Sequence, residues 1–429
     1  MRIAIVGAGI AGLGSARLLH RQGHAVTLYE AGATLGGHTH TVDVTIGGVT
    51  APVDTGFLVF NDRTYPRLVA LFDELGVESV ASEMSFSVRN DDAGVEWAGT
   101  SLAALFAQPR NALRPAYWRM LADIARFNRE TTAMVTGGTI LPVSLGDYLG
   151  AGGYSAAFRD WYLLPMAGAI WSSPRREVLD FPLPTFVRFC RNHGLLSVRG
   201  RPQWRTVVGG GRTYVAKVAA ALPDVRRATK VTSVRRGAHG VDVVAGGATE
   251  RFDDVVLACH SDQALALLAD PSPLESRALA GARYQPNRVV LHTDRALLPK
   301  TRRAWSAWNY LATADADGSR PVAVSYLINK LQPLPFAAPV VVTLNPPFEP
   351  DPATVLDEFK YSHPLQDRAA LAAQGAVGKL QGDRRTWYAG AWLGHGFHED
   401  GLASAHAVAD AIARRVGGAA SAAADRAAA

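Results

Sequence analysis

The chain has 429 residues, 48% of them apolar, and carries 44 Lys and Arg against 38 Asp and Glu. These values fit a globular protein with room for two domains and exclude a disordered or fibrous chain. No apolar run reaches the roughly 18 residues a membrane-spanning helix needs, and two cysteines, Cys190 and Cys259, make neither a C-x-x-C pair nor a metal cluster, which suits a reducing, cytoplasmic setting. The net charge of +6 favours acidic partners such as phospholipid headgroups at the inner membrane face, and no nucleic-acid-binding module is visible in the pattern.

In chain order, the apolar strand Ile3 to Val6 runs into Gly7-Ala8-Gly9-Ile10-Ala11-Gly12, and a second strand, His24 to Tyr29, ends at Glu30. This is a G-x-G-x-x-G turn in a βαβ context. Gly7 permits the turn, Gly9 a close backbone approach to a pyrophosphate, and Gly12 close helix packing, while the helix start through Ile10 and Ala11 offers N–H groups to the phosphates. Glu30, 18 residues past Gly12, stands where it accepts both ribose hydroxyls and disfavours a 2′-phosphate.

A loop-rich passage follows through Leu35-Gly36-Gly37-His38 and Gly56. Residues 61–150 turn helical, with amphipathic helices expected over 65–75 and 116–130; in the second, Arg119, Asp123, Arg126 and Glu130 form one mixed-charge face. Arg188, Arg191, Arg199, Arg201 and Arg205 either dock a lipid phosphate or are salt-bridged in a surface loop. Strand patterns return at 230–234, 240–244 and 252–258, then at 287–292 and 321–328. The end reads strand, glycine-rich turn, helix, with the helix expected over 401–416 and a disordered Ala-, Gly- and Ser-rich tail at 417–429.

These residues resemble the flavin-containing amine oxidase and phytoene desaturase superfamily. The opening turn with Glu30, the L-G-G-H segment where the family has L-G-G-R, and Tyr388-Ala389-Gly390 with Gly396-Phe397 and Asp400-Gly401-Leu402 carry the likeness. The resemblance implies an α/β fold: a Rossmann-like FAD-binding domain of glutathione-reductase type (1–60, 205–265 and 383–416) interleaved with an α+β substrate domain (61–204 and 266–382). It implies noncovalent FAD, with Gly7, Gly9 and Gly12 at the pyrophosphate, Glu30 at the ribose, Gly36, Gly37, His38 and Gly56 near the phosphate and ribityl region, Val231 at the adenine, and Gly390, Phe397, Gly401 and Leu402 around the isoalloxazine. His38 in place of Arg implies a weaker, pH-dependent charge at its phosphate contact.

Asp54 to Asn61, Ala169-Ile170-Trp171-Ser172, Arg201 to Gly210 and Gly396 to Leu402 are also similar to bacterial predicted FAD-binding oxidoreductases encoded beside cyclopropane-fatty-acid-synthase-like methyltransferases. That implies an oxidoreductase removing hydride from an apolar substrate, a fatty acyl chain of a membrane lipid, with peripheral membrane contact. The alternatives are a flavin amine oxidase and a non-catalytic FAD-binding partner of a lipid methyltransferase. Candidate catalytic residues are His395 and His398 beside Phe397, Lys330 at a strand end, and Trp171 as pocket lining. No metal is expected.

Overall fold

The structure, a computed structural model, describes residues 1–196, 200–312 and 321–428, with side chains described as far as residue 417. Strand β1 (Arg2–Val6) leads into helix α1 (Ile10–Arg21) and then β2 (Ala25–Tyr29). Far downstream come β3 (Val225–Arg226), β4 (Asp254–Leu257), β5 (Thr386–Tyr388) and the closing helix α2 (His398–Ala428). The five strands form one parallel sheet in the order β3-β2-β1-β4-β5, with Ile3 beside both Val26 and Asp254. β1, β2 and β4 are almost wholly buried, which is why they read as continuous apolar runs and not as alternating ones. Ile3, Ile5, Leu13, Val26 and Val256 pack with Val408 and Ile412 of α2, so the last helix closes the core begun by the first strand.

An antiparallel three-stranded sheet spans Val231–Gly237, Gly240–Ala245 and Ala248–Phe252. A second large sheet has seven strands in the spatial order Val355–Pro364, Tyr284–His292, Val341–Leu344, Ala323–Leu327, Trp308–Ala312, Phe86–Asn90, Val95–Ala98. A helical layer from Pro115 to Asn192 has its own core around Phe127, Phe158, Trp171 and Phe186.

Three expectations change. The stretch 61–150 is not uniformly helical, because Phe86–Asn90 and Val95–Ala98 pair as strands at the edge of the large sheet. The passage before Gly56 is a hairpin, Thr41–Ile46 on Val49–Asp54, closed by Gly47 and Gly48 at φ +59° and +80°; the alternation of Val42, Val44 and Ile46 foreshadows it. The tail continues α2 as helix to Ala428, where a disordered segment was expected, and its alanines are the strongest helix formers.

Candidate active site

At the carboxyl end of β1 the glycine turn has the stereochemistry its spacing predicts. Gly7 has φ +100°, and a Cβ on Gly12 would lie 1.8 Å from the Gly7 carbonyl oxygen, so the helix rests directly on the turn. A Cβ on Gly9 would meet nothing within 4 Å. Gly9 caps α1 in extended conformation with no side-chain cap and no acid in the first turn, which leaves an open cradle at a positive helix end.

Glu30 closes one side: its carboxylate accepts from the Ala8 N–H at 2.9 Å and the Gly32 N–H at 2.8 Å. The Gly36 N–H donates to the Ala8 carbonyl at 2.8 Å, and a Cβ on Gly37 (φ +59°) would touch the Gly9 Cα at 3.2 Å, so the second glycine turn lies flat on the first. The Thr229 N–H donates to the Glu30 carbonyl, which brings the chain entering Val231 alongside; the Val231 side chain itself is core.

From the far end of the chain, α2 starts against the start of α1. A Cβ on Gly401 would lie 2.7 Å from Ile10 Cγ2, and one on Gly14 would lie 2.9 Å from Leu402 Cδ2. Two helix N-termini thus converge on one cradle, with Ile10, Ala11 and Leu402 as the apolar packing between them. Gly56 fits with its absent Cβ only 2.1 Å from the His38 carbonyl oxygen, and Gly390 donates its N–H to Ser404 Oγ at 2.9 Å. The donor set and the cradle fit a dinucleotide whose pyrophosphate crosses Gly9. Replacing Glu30 with Ala is expected to weaken FAD affinity roughly tenfold or more, since charge-assisted hydrogen bonds contribute about 1.5–3 kcal/mol; titration of apoprotein with FAD checks this, and an unchanged affinity would contradict the ribose assignment.

Several residues depart from their expected roles. Burial, with His363 and His260 beside it, pushes the His38 imidazole down to about 3. Its ring lies 5.2 Å from Tyr361 and 5.4 Å from His363, and its Nε2 is buried without a partner. His398 is not a free base. Its Nε2 bonds Thr39 Oγ1 at 2.8 Å and Tyr214 OH at 3.1 Å, its ring stacks on Phe57 at 3.8 Å, and burial pushes it down to about 3. It pins α2 to the loop after Gly37. Lys330 is taken by Glu83 in a 2.9 Å ion pair. Trp171 is core, 4.9 Å from Phe181 and 4.6 Å from Phe189, although its Nε1 is buried without a partner.

Phe397 and His395 are half-buried and belong to one cluster of aromatic rings. Phe397 stacks on Phe189 at 5.4 Å, His193 lies 4.0 Å from Phe189, and His395 meets the same ring edge-on at 5.6 Å. Burial pushes His193 down to about 4. Asp400 is held up by burial and accepts the Phe397 N–H at 2.9 Å.

The sequence reading missed Asp54, which accepts from Thr41 Oγ1, from the Gly211 N–H at 2.9 Å and from Gln332 Nε2 at 2.8 Å. Burial pushes its carboxyl up to about 6. Its partners lie in three separate segments, of which only Thr41, opposite it on the same hairpin, is near in sequence.

A parallel sheet with an uncapped glycine turn, an acid ending the second strand and a second helix start crossing the first is the fold of an FAD-dependent oxidoreductase. The chain belongs to the flavin containing amine oxidoreductase family, whose signature matches residues 10–328. It is 26% identical over 341 residues, 76% of this chain and 70% of the other, to a protein of Mycobacterium tuberculosis provisionally named flavin-containing monoamine oxidase AofH. The fold is shared with a CLA-producing fatty acid isomerase from P. acnes (TM-score 0.67, 17% identity, 96% of this chain and 98% of that one). It is shared equally with cyclohexylamine oxidase from Brevibacterium oxydans (TM-score 0.69, 16% identity, 97% and 99%).

Proposed function

We propose that this oxidoreductase removes hydride from an apolar substrate, a fatty acyl chain of a membrane lipid, and leaves a double bond. One observation carries the reading: Phe397 stacks on Phe189, with His193 against the same ring, in a cluster of aromatic side chains. Phe189, His193 and Trp171 continue from it into the apolar cluster of Phe181, Phe186 and Leu196. Asp400, the carboxylate beside this cluster among the described residues, accepts the Phe397 N–H, and burial favours its neutral form. An alkyl chain covering the half-buried Phe397 ring would gain roughly 25 cal/mol for each Å² removed from water.

When bound, FAD supplies the hydride acceptor. The chain's own part is placement and exclusion of water. Gly9 and the start of α1 hold the phosphates, Glu30 the ribose, and Phe397 with Phe189 orients the alkyl chain, while His395 stands in the same cluster to take the proton that leaves with the hydride. Dehydrogenation removes one hydride and one proton, and both are thereby accounted for.

An aromatic cluster also accepts an uncharged amine, and the shared fold of a fatty acid isomerase and an amine oxidase favours neither. Anaerobic bleaching of the flavin separates the readings. Phospholipid carrying unsaturated or methylated acyl chains is expected to bleach it, while a panel of primary and secondary amines leaves it oxidised. Bleaching by amines alone would replace the lipid by an amine, and no bleaching with retained methyltransferase binding would make the chain a non-catalytic partner.

A further inference from the structure

We infer that the surface formed by residues 102–119 and 302–303 seats this protein on an anionic phospholipid bilayer. Three large apolar side chains protrude there: Leu102 is 78% exposed, Leu113 85% and Trp118 53%. Leu102 opens the short helix Leu102–Leu105, Leu113 ends the turn Pro109–Leu113, and Trp118 lies in the first turn of helix Pro115–Thr136. The Trp118 indole N–H donates to the Ala112 carbonyl at 2.8 Å and its ring lies 5.5 Å from Phe106, which fixes the indole beside Leu113. Underneath, Ala98, Ala104 and Ala107 are buried with Ala304, so exposed Arg302 and Arg303 stand next to the same helix.

Within the segment that carries these side chains the charges are of one sign. From Trp97 to Ala122 the chain has no acid and three arginines, Arg110, Arg114 and Arg119. Of the acids that border the patch, Glu96 accepts the Lys300 and Thr301 N–H groups, Asp91 pairs with Arg89 and Lys300, and the buried Asp123 pairs with Arg119 at 3.4 Å, while Asp92 is exposed in the turn whose carbonyls Arg110 and Arg114 hold. Leucines this exposed are projections, suited to enter a yielding acyl layer, and an indole with its arginine neighbours belongs at the headgroup level. The arginine group weighed in the sequence does not form this surface. Arg205 is spent on Ser79, and Arg199 lies outside the described residues. The inference stands whichever substrate the active site takes.

Co-sedimentation of the FAD-loaded protein tests it, with vesicles of equal parts phosphatidylglycerol and phosphatidylcholine against phosphatidylcholine alone. Binding to the anionic vesicles is expected at about 0.1 M salt and is expected to weaken at least tenfold near 1 M, where screening shortens the range of the charges to about 3 Å. The double variant Leu102→Glu with Leu113→Glu is expected to lose at least about tenfold in partition through lost apolar insertion. Arg302→Glu with Arg303→Glu is expected to lose about fivefold or more per arginine. Both variants keep their FAD and far-ultraviolet circular dichroism, because all four side chains are exposed. Absent binding to anionic vesicles, or variants that bind like the parent chain, would overturn the inference. So would a dimer, seen by light scattering, that Leu102→Glu with Leu113→Glu dissociates, for the patch would then belong to a second copy.

Discussion

Gly9→Ala is expected to give a stable protein that has lost FAD, whereas Gly12→Ala is expected to lose both FAD and stability. At Gly12 the new Cβ would sit 1.8 Å from a backbone oxygen of the turn. The turn must open, at a cost of about 3 kcal/mol, and alanine's better helix propensity returns only about 1 kcal/mol. At Gly9 the backbone is extended, at φ −72° and ψ −178°, and open within 4 Å, so alanine fits without strain. It even restricts the unfolded chain, adding about 0.4–1 kcal/mol of stability to the apoprotein. The methyl group then occupies the cradle through which the pyrophosphate passes, and FAD affinity is expected to fall about a hundredfold, or about 2.7 kcal/mol. Denaturant unfolding of the two apoproteins and their titration with FAD give the four measurements needed. Gly9→Ala with full FAD affinity would show that the pyrophosphate does not cross Gly9.

That contrast also shows which parts of the site are legible in the sequence. Gly7, Gly12, Gly36 and Gly37 are legible because each answers a local backbone requirement at fixed spacing, Gly9 because it stands in the same motif, and the structure stacks the two turns as one unit. Glu30 is legible for the same reason, as the end of a strand. His398 is not. Its place between Phe397 and Gly401 resembles that of a flavin-facing base, but the first turn of α2 directs it to Thr39 and Tyr214, residues 359 and 184 positions away. Lys330 is likewise decided by Glu83, 247 positions earlier. The hairpin before Gly56 has a local pattern and was open to recognition, whereas the Asp54 network joins segments as much as 278 residues apart. The aromatic cluster falls in this second class, since Phe189 and His193 meet Phe397 only through tertiary packing across about 200 residues of chain.

Removing the Glu275 carboxylate is expected to produce the largest loss of stability in the molecule that touches no cofactor contact. Arg236 and Glu275 are each 1% exposed and lie 2.6 Å apart. Glu275 also accepts the Tyr388 hydroxyl at 2.8 Å and the Ser272 N–H at 2.7 Å, while Arg236 reaches Asp270 at 2.8 Å. The cluster ties the three-stranded sheet to β5, the strand that delivers Gly390. Burial raises the Glu275 carboxyl, but Arg236, Ser272 and Tyr388 overcome that and hold it at about 2, against an ordinary value of 4.5. Breaking one partner from a buried pair costs about 3–5 kcal/mol, and the retained Asp270 places Glu275→Ala near the lower end.

The pH dependence follows from the depressed carboxyl. The unfolded chain binds the proton first, so the contribution is complete above about pH 4.5 and is lost as the pH falls toward 2, by about 3 kcal/mol in all. Denaturant midpoints of the parent chain and of Glu275→Gln are therefore expected to differ most at neutral pH and to converge on acidification through that window. A difference that stays constant from neutral pH to about pH 2 would mean that the carboxylate charge carries none of the stability and that the site is held by packing alone. Because β5 ends at the Gly390 turn, the same variant is expected to release FAD more readily at neutral pH, which apoprotein titration detects separately from unfolding.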